Sequence, residues 1–86
     1  MISKKMEAAI NKQINLEIQS ALLYLQMSAY FAQENLGGFS HWMRIQHTEE
    51  LLHANKLFDY VLQRDGDVTL TAVAAPPRSW KSTIAA

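Results

Sequence analysis

Glu50 and His53 stand three residues apart in the run HTEELLH, a spacing that on a helix projects both side chains from one face about one turn from each other. A carboxylate oxygen and an imidazole nitrogen placed in this way reach a single metal ion. The spacing by itself is weak evidence and more often marks a solvated pair on an outer face. Position argues for the metal. Taken at every third and fourth residue, Phe39, Met43, Gln46, Glu50, His53, Leu57 and Tyr60 form a core-facing stripe that is apolar at both ends and polar in the middle. Burying a carboxylate in such a stripe costs several kcal/mol unless a cation or hydrogen-bond donors compensate it, so Glu50 calls for an explanation that a surface Glu does not.

The elements that position this pair are two long helices. The first is expected from about residue 4 to residue 33, with Ser3 as N-cap and no Gly or Pro to interrupt it; the second is expected from about 39 to 64. The first helix has its own stripe, Ile10, Ile14, Glu17, Ala21, Tyr24, Ser28 and Phe31, again interrupted by a Glu. Its stretch from Ile18 to Gln33 carries no charge, yet with three Gln and two Ser it is too short and too polar to span a bilayer, and it fits a helix packed by protein on two sides. Asn35-Leu36-Gly37-Gly38 stops one helix and restarts the other, offers Gly for a left-handed C-cap, and is short enough to force the helices antiparallel. A turn centred near Leu36 sets Glu17 opposite Asn55 and so near the level of His53, and Tyr24 about opposite Thr48. There the Tyr24 hydroxyl either reaches a carboxylate or belongs to an amphipathic core tyrosine. Beyond the Asp65-Gly66-Asp67 turn, Val68 to Val73 and Pro76-Pro77 read as an extended tail over 66–86, with KSTIAA as the start of a further element. The whole of 1–86 reads as one all-α unit, a helical hairpin with an extended C-terminal tail.

Composition narrows the function. Apolar residues make up 49% of the chain and charged ones 19%, more apolar surface than a small hairpin buries alone, so partner chains are expected. Eight basic and eight acidic residues leave no net charge to hold nucleic acid or an anionic membrane. The absence of cysteine removes disulfides, thiolate metal sites and cysteine nucleophiles together. No signal peptide or transmembrane span is visible, and a cytoplasmic protein is expected.

Several of these motifs together resemble one family. Asn15-Leu16-Glu17 with Tyr24 seven residues on, the HTEELLH run with Glu49, Glu50 and His53, the ending Leu57-Phe58-Asp59-Tyr60, and Trp80 after two prolines are similar to the N-terminal half of the bacterial non-haem ferritins. The resemblance implies a ferritin-like four-helix bundle, oxidation of ferrous iron at a di-iron centre, and assembly into a hollow iron-storage cage. It implies that Glu17, Glu50 and His53 are iron ligands, with Glu50 bridging the two irons, and that Tyr24 is the site tyrosine. Glu49 matches a ligand of an additional iron site, or is a solvated neighbour about 100° around the helix from Glu50.

Family chains carry a third and a fourth helix that supply the remaining carboxylates. Two copies of this hairpin, related by a two-fold axis, could supply both halves, so a homodimer or larger, cage-like homo-oligomer is expected, with iron between the chains. Two alternatives stay open. The chain is a truncated or cleaved piece, a structural subunit completed by a separate second-half chain; or it is a metal-free association hairpin in which the three polar residues set register. Carboxylate and imidazole ligands also accept Mn²⁺ and Zn²⁺ in place of iron.

Overall fold

A computed structural model of the chain describes residues 1–80, and the element expected from 81 to 86 lies outside the described residues. Two antiparallel helices, α1 (Lys4–Gln33) and α2 (Gly37–Gln63), make up the hairpin. Residues 66–80 form neither helix nor strand, and among the described residues no helix is long and apolar enough to cross a membrane.

Each helix end is closed by a specific device. Ser3 is the N-cap of α1, its side chain accepting from the Met6 amide at 3.1 Å, with Glu7 in the first turn where the helix dipole favours an acid. At the other end Asn35 takes the left-handed conformation with φ 60, and the amides of Leu36 and Asn35 donate back to the carbonyls of Phe31 and Ala32. This is the two-bond C-terminal closure usually built on glycine, here tolerated by Asn because its short polar side chain fits the left-handed region. The expectation that Gly37 or Gly38 would supply this turn is thereby corrected: both belong to the first turn of α2, and neither has a positive φ. α2 closes in the same way on Asp65, φ 58, with the Gly66 amide donating to the Val61 carbonyl at 2.9 Å.

Between the helices the α1 stripe is as expected: Ile14, Ala21, Ser28 and Phe31 are buried, and Ile10, Glu17 and Tyr24 half-buried. The α2 stripe is only half as expected. Met43, Glu50 and Leu57 face α1 and Gln46 is half-buried beside them, but their companions are Ser40, His47, Ala54 and Val61, and not Phe39, His53 and Tyr60, which are exposed. Small side chains explain the exchange, because Ser40 and Ala54 let the helices approach, whereas Phe39 or Tyr60 would hold them apart. Ser28 Oγ donates to the Ser40 carbonyl and Ser40 Oγ to the Ser28 carbonyl, both at 2.8 Å, so the two backbones are pinned together there. About two turns further, His47 Nδ1 lies 2.8 Å from the Ala21 carbonyl and must carry the proton, since a carbonyl only accepts. Full burial of Ile14 and Val61 adds about 1.5–3 kcal/mol each at the open end.

The segment after α2 returns along α1 toward the turn. Asn11 holds its start like a neighbouring strand, Nδ2 donating to the Asp67 carbonyl at 2.9 Å and Oδ1 accepting from the Thr69 amide at 2.8 Å. The Glu7 carboxylate accepts from the Asp67 amide at 3.0 Å. Ala74 to Pro77 lie over Gln19 and Leu23, and the Trp80 ring meets Tyr30 edge-on at 5.1 Å between centroids. Trp80 thus covers the cluster of Met27, Tyr30, Phe31 and Met43 at the turn end.

Candidate metal centre

The pairs Ser28 with Ser40 and Ala21 with His47 place Leu51, not Asn55, opposite Glu17. Because α2 begins directly after Asn35, the turn is centred about two residues earlier than Leu36, and the opposing register moves by four. This correction tightens the site, since it sets Glu17 between the levels of Glu50 and His53. A carboxylate oxygen of each Glu and a ring nitrogen of His53 lie within 4.8 Å of one another. His53 Nδ1 is 3.7 Å from Glu17 Oε2 and 3.8 Å from Glu50 Oε2, beyond hydrogen-bond range and spaced to leave room for an ion among them.

The three side chains are unequally covered. Glu17 and Glu50 sit at 18% and 19% exposure beside the seam, and His53 at 55% rises from the flank of α2. The two carboxyl groups act on each other in opposite directions. A hydrogen bond from the Glu50 carboxyl, then one from Gln13 Nε2 at 2.9 Å, holds the Glu17 carboxyl below the usual carboxylate range against the opposing effect of burial. The same hydrogen bond to Glu17, then burial, then the negative charge of Glu17, pushes Glu50 up. Two carboxylates this close cannot both ionise without cost, and a divalent cation would offset the repulsion and let both bind as anions. Two carboxylate oxygens and an imidazole are a donor set that iron accepts in both its common oxidation states.

The other two candidates lie apart from this trio. Tyr24 is half-buried toward the turn, its ring packed against the Met27, Tyr30, Phe31 and Met43 cluster, and among the described residues no hydrogen bond involves its hydroxyl. Glu49 is exposed on the outer flank of α2. His47 was not among the sequence candidates. The signal that could have found it is its place in the seven-residue row Ser40, His47, Ala54, Val61, and its ring is already committed to the Ala21 carbonyl.

A model of the ferritin-like domain matches residues 7–86. The chain belongs to the ferritin-like family. Among its relatives, the bacterial non-heme ferritin of Bacteroides fragilis is 44% identical over 80 residues, which are 93% of this chain and 50% of that one. The bacterial non-heme ferritin of Campylobacter jejuni is 36% identical over 84 residues, 98% of this chain and 50% of that one. Among solved structures, an open-pore ferritin from the hyperthermophilic archaeon Archaeoglobus fulgidus superposes with a TM-score of 0.94 at 55% identity, covering 99% of this chain and 52% of that one. The chain spans about half the length of the ferritins it matches.

Proposed function

We propose that this hairpin is one half of a ferritin bundle, completed by a second copy of the chain, and that it takes up ferrous iron and oxidises it for storage in the cytoplasm. The observation that carries this is the convergence of Glu17, Glu50 and His53 at one level, on the flank that the single hairpin leaves open. Two copies related by a two-fold axis bring four carboxylates and two imidazoles to that level, and two ferrous ions neutralise the four charges. In the pair, Glu17, Glu50 and His53 of each chain would hold the irons as ligands, with Glu50 as the carboxylate shared between them. The protein binds and orients; the electrons pass from ferrous iron to dioxygen or peroxide, and no protein nucleophile takes part. Tyr24, about two turns from Glu17 toward the hairpin turn, and Glu49, one residue from Glu50, serve as the site tyrosine and as a ligand for a further iron. Mn²⁺ and Zn²⁺ fit the same donors as substitutes.

Large exposed side chains on both flanks of the hairpin, Phe39 and Trp42 on one and Leu51 and Leu62 on the other, support an assembly larger than two chains, of the cage-like kind. The half-length match to the relatives favours a second reading, in which a different chain carrying their other half completes the bundle. Native mass spectrometry separates the two, since the first requires assemblies of this chain alone. The catalytic reading is tested by following ferrous iron oxidation in air with the purified protein. Wild type is expected to exceed buffer and Glu50→Ala to fall to the buffer rate; equal rates for wild type and Glu50→Ala would exclude a ferroxidase site here.

A further inference from the structure

One of the three metal-type side chains stands on α1 and two on α2, so their convergence depends on how far the helices are slid along each other. Ligand distances of about 2.0–2.2 Å tolerate little slippage, and a binding constellation has to be held to within about 0.5 Å. The buried apolar residues of the seam on either side of the trio, Ile14, Ala21, Ala54 and Val61, attract without direction and set the register only loosely. Apart from the trio and the turn, hydrogen bonds tie one arm of the hairpin to the other at three levels among the described residues. Toward the turn Ser28 and Ser40 exchange theirs, about 16 Å along α1 from Glu17. At the open end the Ile2 amide donates to the Arg64 carbonyl, about 21 Å along α2 from Glu50. Between these lies the bond from His47 Nδ1 to the Ala21 carbonyl at 2.8 Å. It is about 6 Å along α1 from Glu17 and about 4.5 Å along α2 from Glu50.

We propose that His47 is the positioning residue of the candidate iron site: by donating Nδ1–H to the Ala21 carbonyl it sets the register of α2 on α1 at the level where Glu17 meets Glu50 and His53. This rests on the metal-binding reading above and adds to it the side chain that keeps the three ligands within common reach. The local sequence builds the bond. Ala21 is wholly buried, and its single methyl group leaves room in the seam for an imidazole. Its carbonyl lies in the interior of α1, where one lone pair accepts the intrahelical bond and the second takes the proton of Nδ1. Cohesion of the seam does not call for a histidine, since an apolar side chain of similar size holds two helices together as well or better; a polar group in such a place serves to fix register. His47 therefore acts on the ligands through the helix that carries two of them. Glu50 follows it by three residues on the same face of α2, and Ala21 follows Glu17 by four on the same face of α1, so a bond between His47 and Ala21 holds the two carboxylates at one relative height.

Three whole-chain proteins decide the matter: wild type; His47→Leu, which fills the space without a donor; and His47→Asn, whose side-chain amide nitrogen takes nearly the place of Nδ1. Ferrous iron is titrated into each without air, and the helix content and Tm of the metal-free proteins are followed by circular dichroism at one protein concentration. His47→Leu is expected to keep its helix content and to melt no lower than wild type without metal, yet to bind iron about tenfold more weakly. His47→Asn is expected to recover most of that affinity. Nitrogen NMR spectra of metal-free wild type are expected to show a His47 ring with its proton on Nδ1, shielded from exchange with water. His47→Leu binding iron as tightly as wild type would overturn the proposal, as would His47→Asn binding no better than His47→Leu, or a ring protonated at Nε2 alone. A loss of affinity in His47→Leu matched by a fall in the Tm of its metal-free form would make the histidine a packing residue and overturn it too. Wild type that binds no iron removes the site and the role of His47 with it, whereas wild type that binds iron no better than His47→Leu does removes the role alone.

Discussion

Gly66 is where a single methyl group tests the packing of the open end. A Cβ at this position would lie 2.8 Å from Ile2 Cγ2, 2.9 Å from Val61 Cγ1 and 3.2 Å from Glu7 Oε2. Val61 is fully buried and cannot retreat, Ile2 is tied by its amide to the Arg64 carbonyl at 3.1 Å, and Glu7 is held by the Asp67 amide. Gly66 has no positive φ, so the glycine is required for close approach and not for backbone freedom. Gly66→Ala is therefore an overpacking change, expected to cost about 1–3 kcal/mol and to lower Tm by roughly 4 °C or more per kcal/mol in a chain of this size. Gly38→Ala is the control. Nothing lies within 4 Å of its Cβ in the hairpin, and Ala restricts the unfolded chain, so the hairpin itself should be unchanged or stabilised by up to about 1 kcal/mol. Thermal melts by circular dichroism, at one fixed protein concentration because assembly is coupled to folding, compare the two. A Gly66→Ala protein that melts with wild type would refute the claim that Ile2, Val61 and Gly66 are in rigid contact.

Three further outcomes follow from named contacts. Asn11→Ala removes its two hydrogen bonds to Asp67 and Thr69, so limited proteolysis within 67–80 should accelerate while helix content is kept; unchanged cleavage would show that Glu7, Trp80 and the prolines hold the segment without Asn11. Ser28→Ala removes the side-chain donor that the Ser40 carbonyl accepts beside its helical bond and should cost about 0.5–1.5 kcal/mol in urea denaturation; no loss would mean that the Ser28 and Ser40 pair does not pin the helices. For the metal-free protein, Glu50, held above the usual range, destabilises the fold once it is ionised, so its contribution improves as pH falls through its folded value toward the usual range. Glu17, held below that range, stabilises above it and loses this as pH falls further. Calorimetry in chelator should find that Glu50→Gln flattens the first limb and leaves the second, and an unchanged profile would count against a raised Glu50 carboxyl.

The extent of both helices and the α1 stripe were legible in the sequence because a single apolar row per helix, with Ser3 before it and Asn35 after it, leaves little choice. Of the α2 stripe, Met43, Gln46, Glu50 and Leu57 were legible. Periodicity weighs large apolar residues, and α2 carries Phe39 and Tyr60 on its open flank while the true seam is marked by Ser40, His47 and Ala54, residues chosen for closeness and hydrogen bonding. The turn misled for a related reason: glycine is the usual left-handed residue, and Asn35 and Asp65 take that place here. Even so, Glu17, Glu50 and His53 could be brought together on paper, since a shift of four residues in register moves the opposing level by only about one turn. What the sequence alone could not show was the unequal cover of the trio, with His53 on the flank and the two carboxylates beside the seam.

The central claim, that two chains share one iron site, is tested most directly by anaerobic titration of ferrous iron into the assembled protein, with bound iron counted against chains. Saturation at one iron per chain is predicted, lost in Glu50→Ala and weakened in His53→Ala without loss of helix content, since that change removes a ligand and leaves the seam intact. Saturation well away from one per chain, or equal binding by wild type and Glu50→Ala, would contradict a site built from Glu17, Glu50 and His53 of two copies.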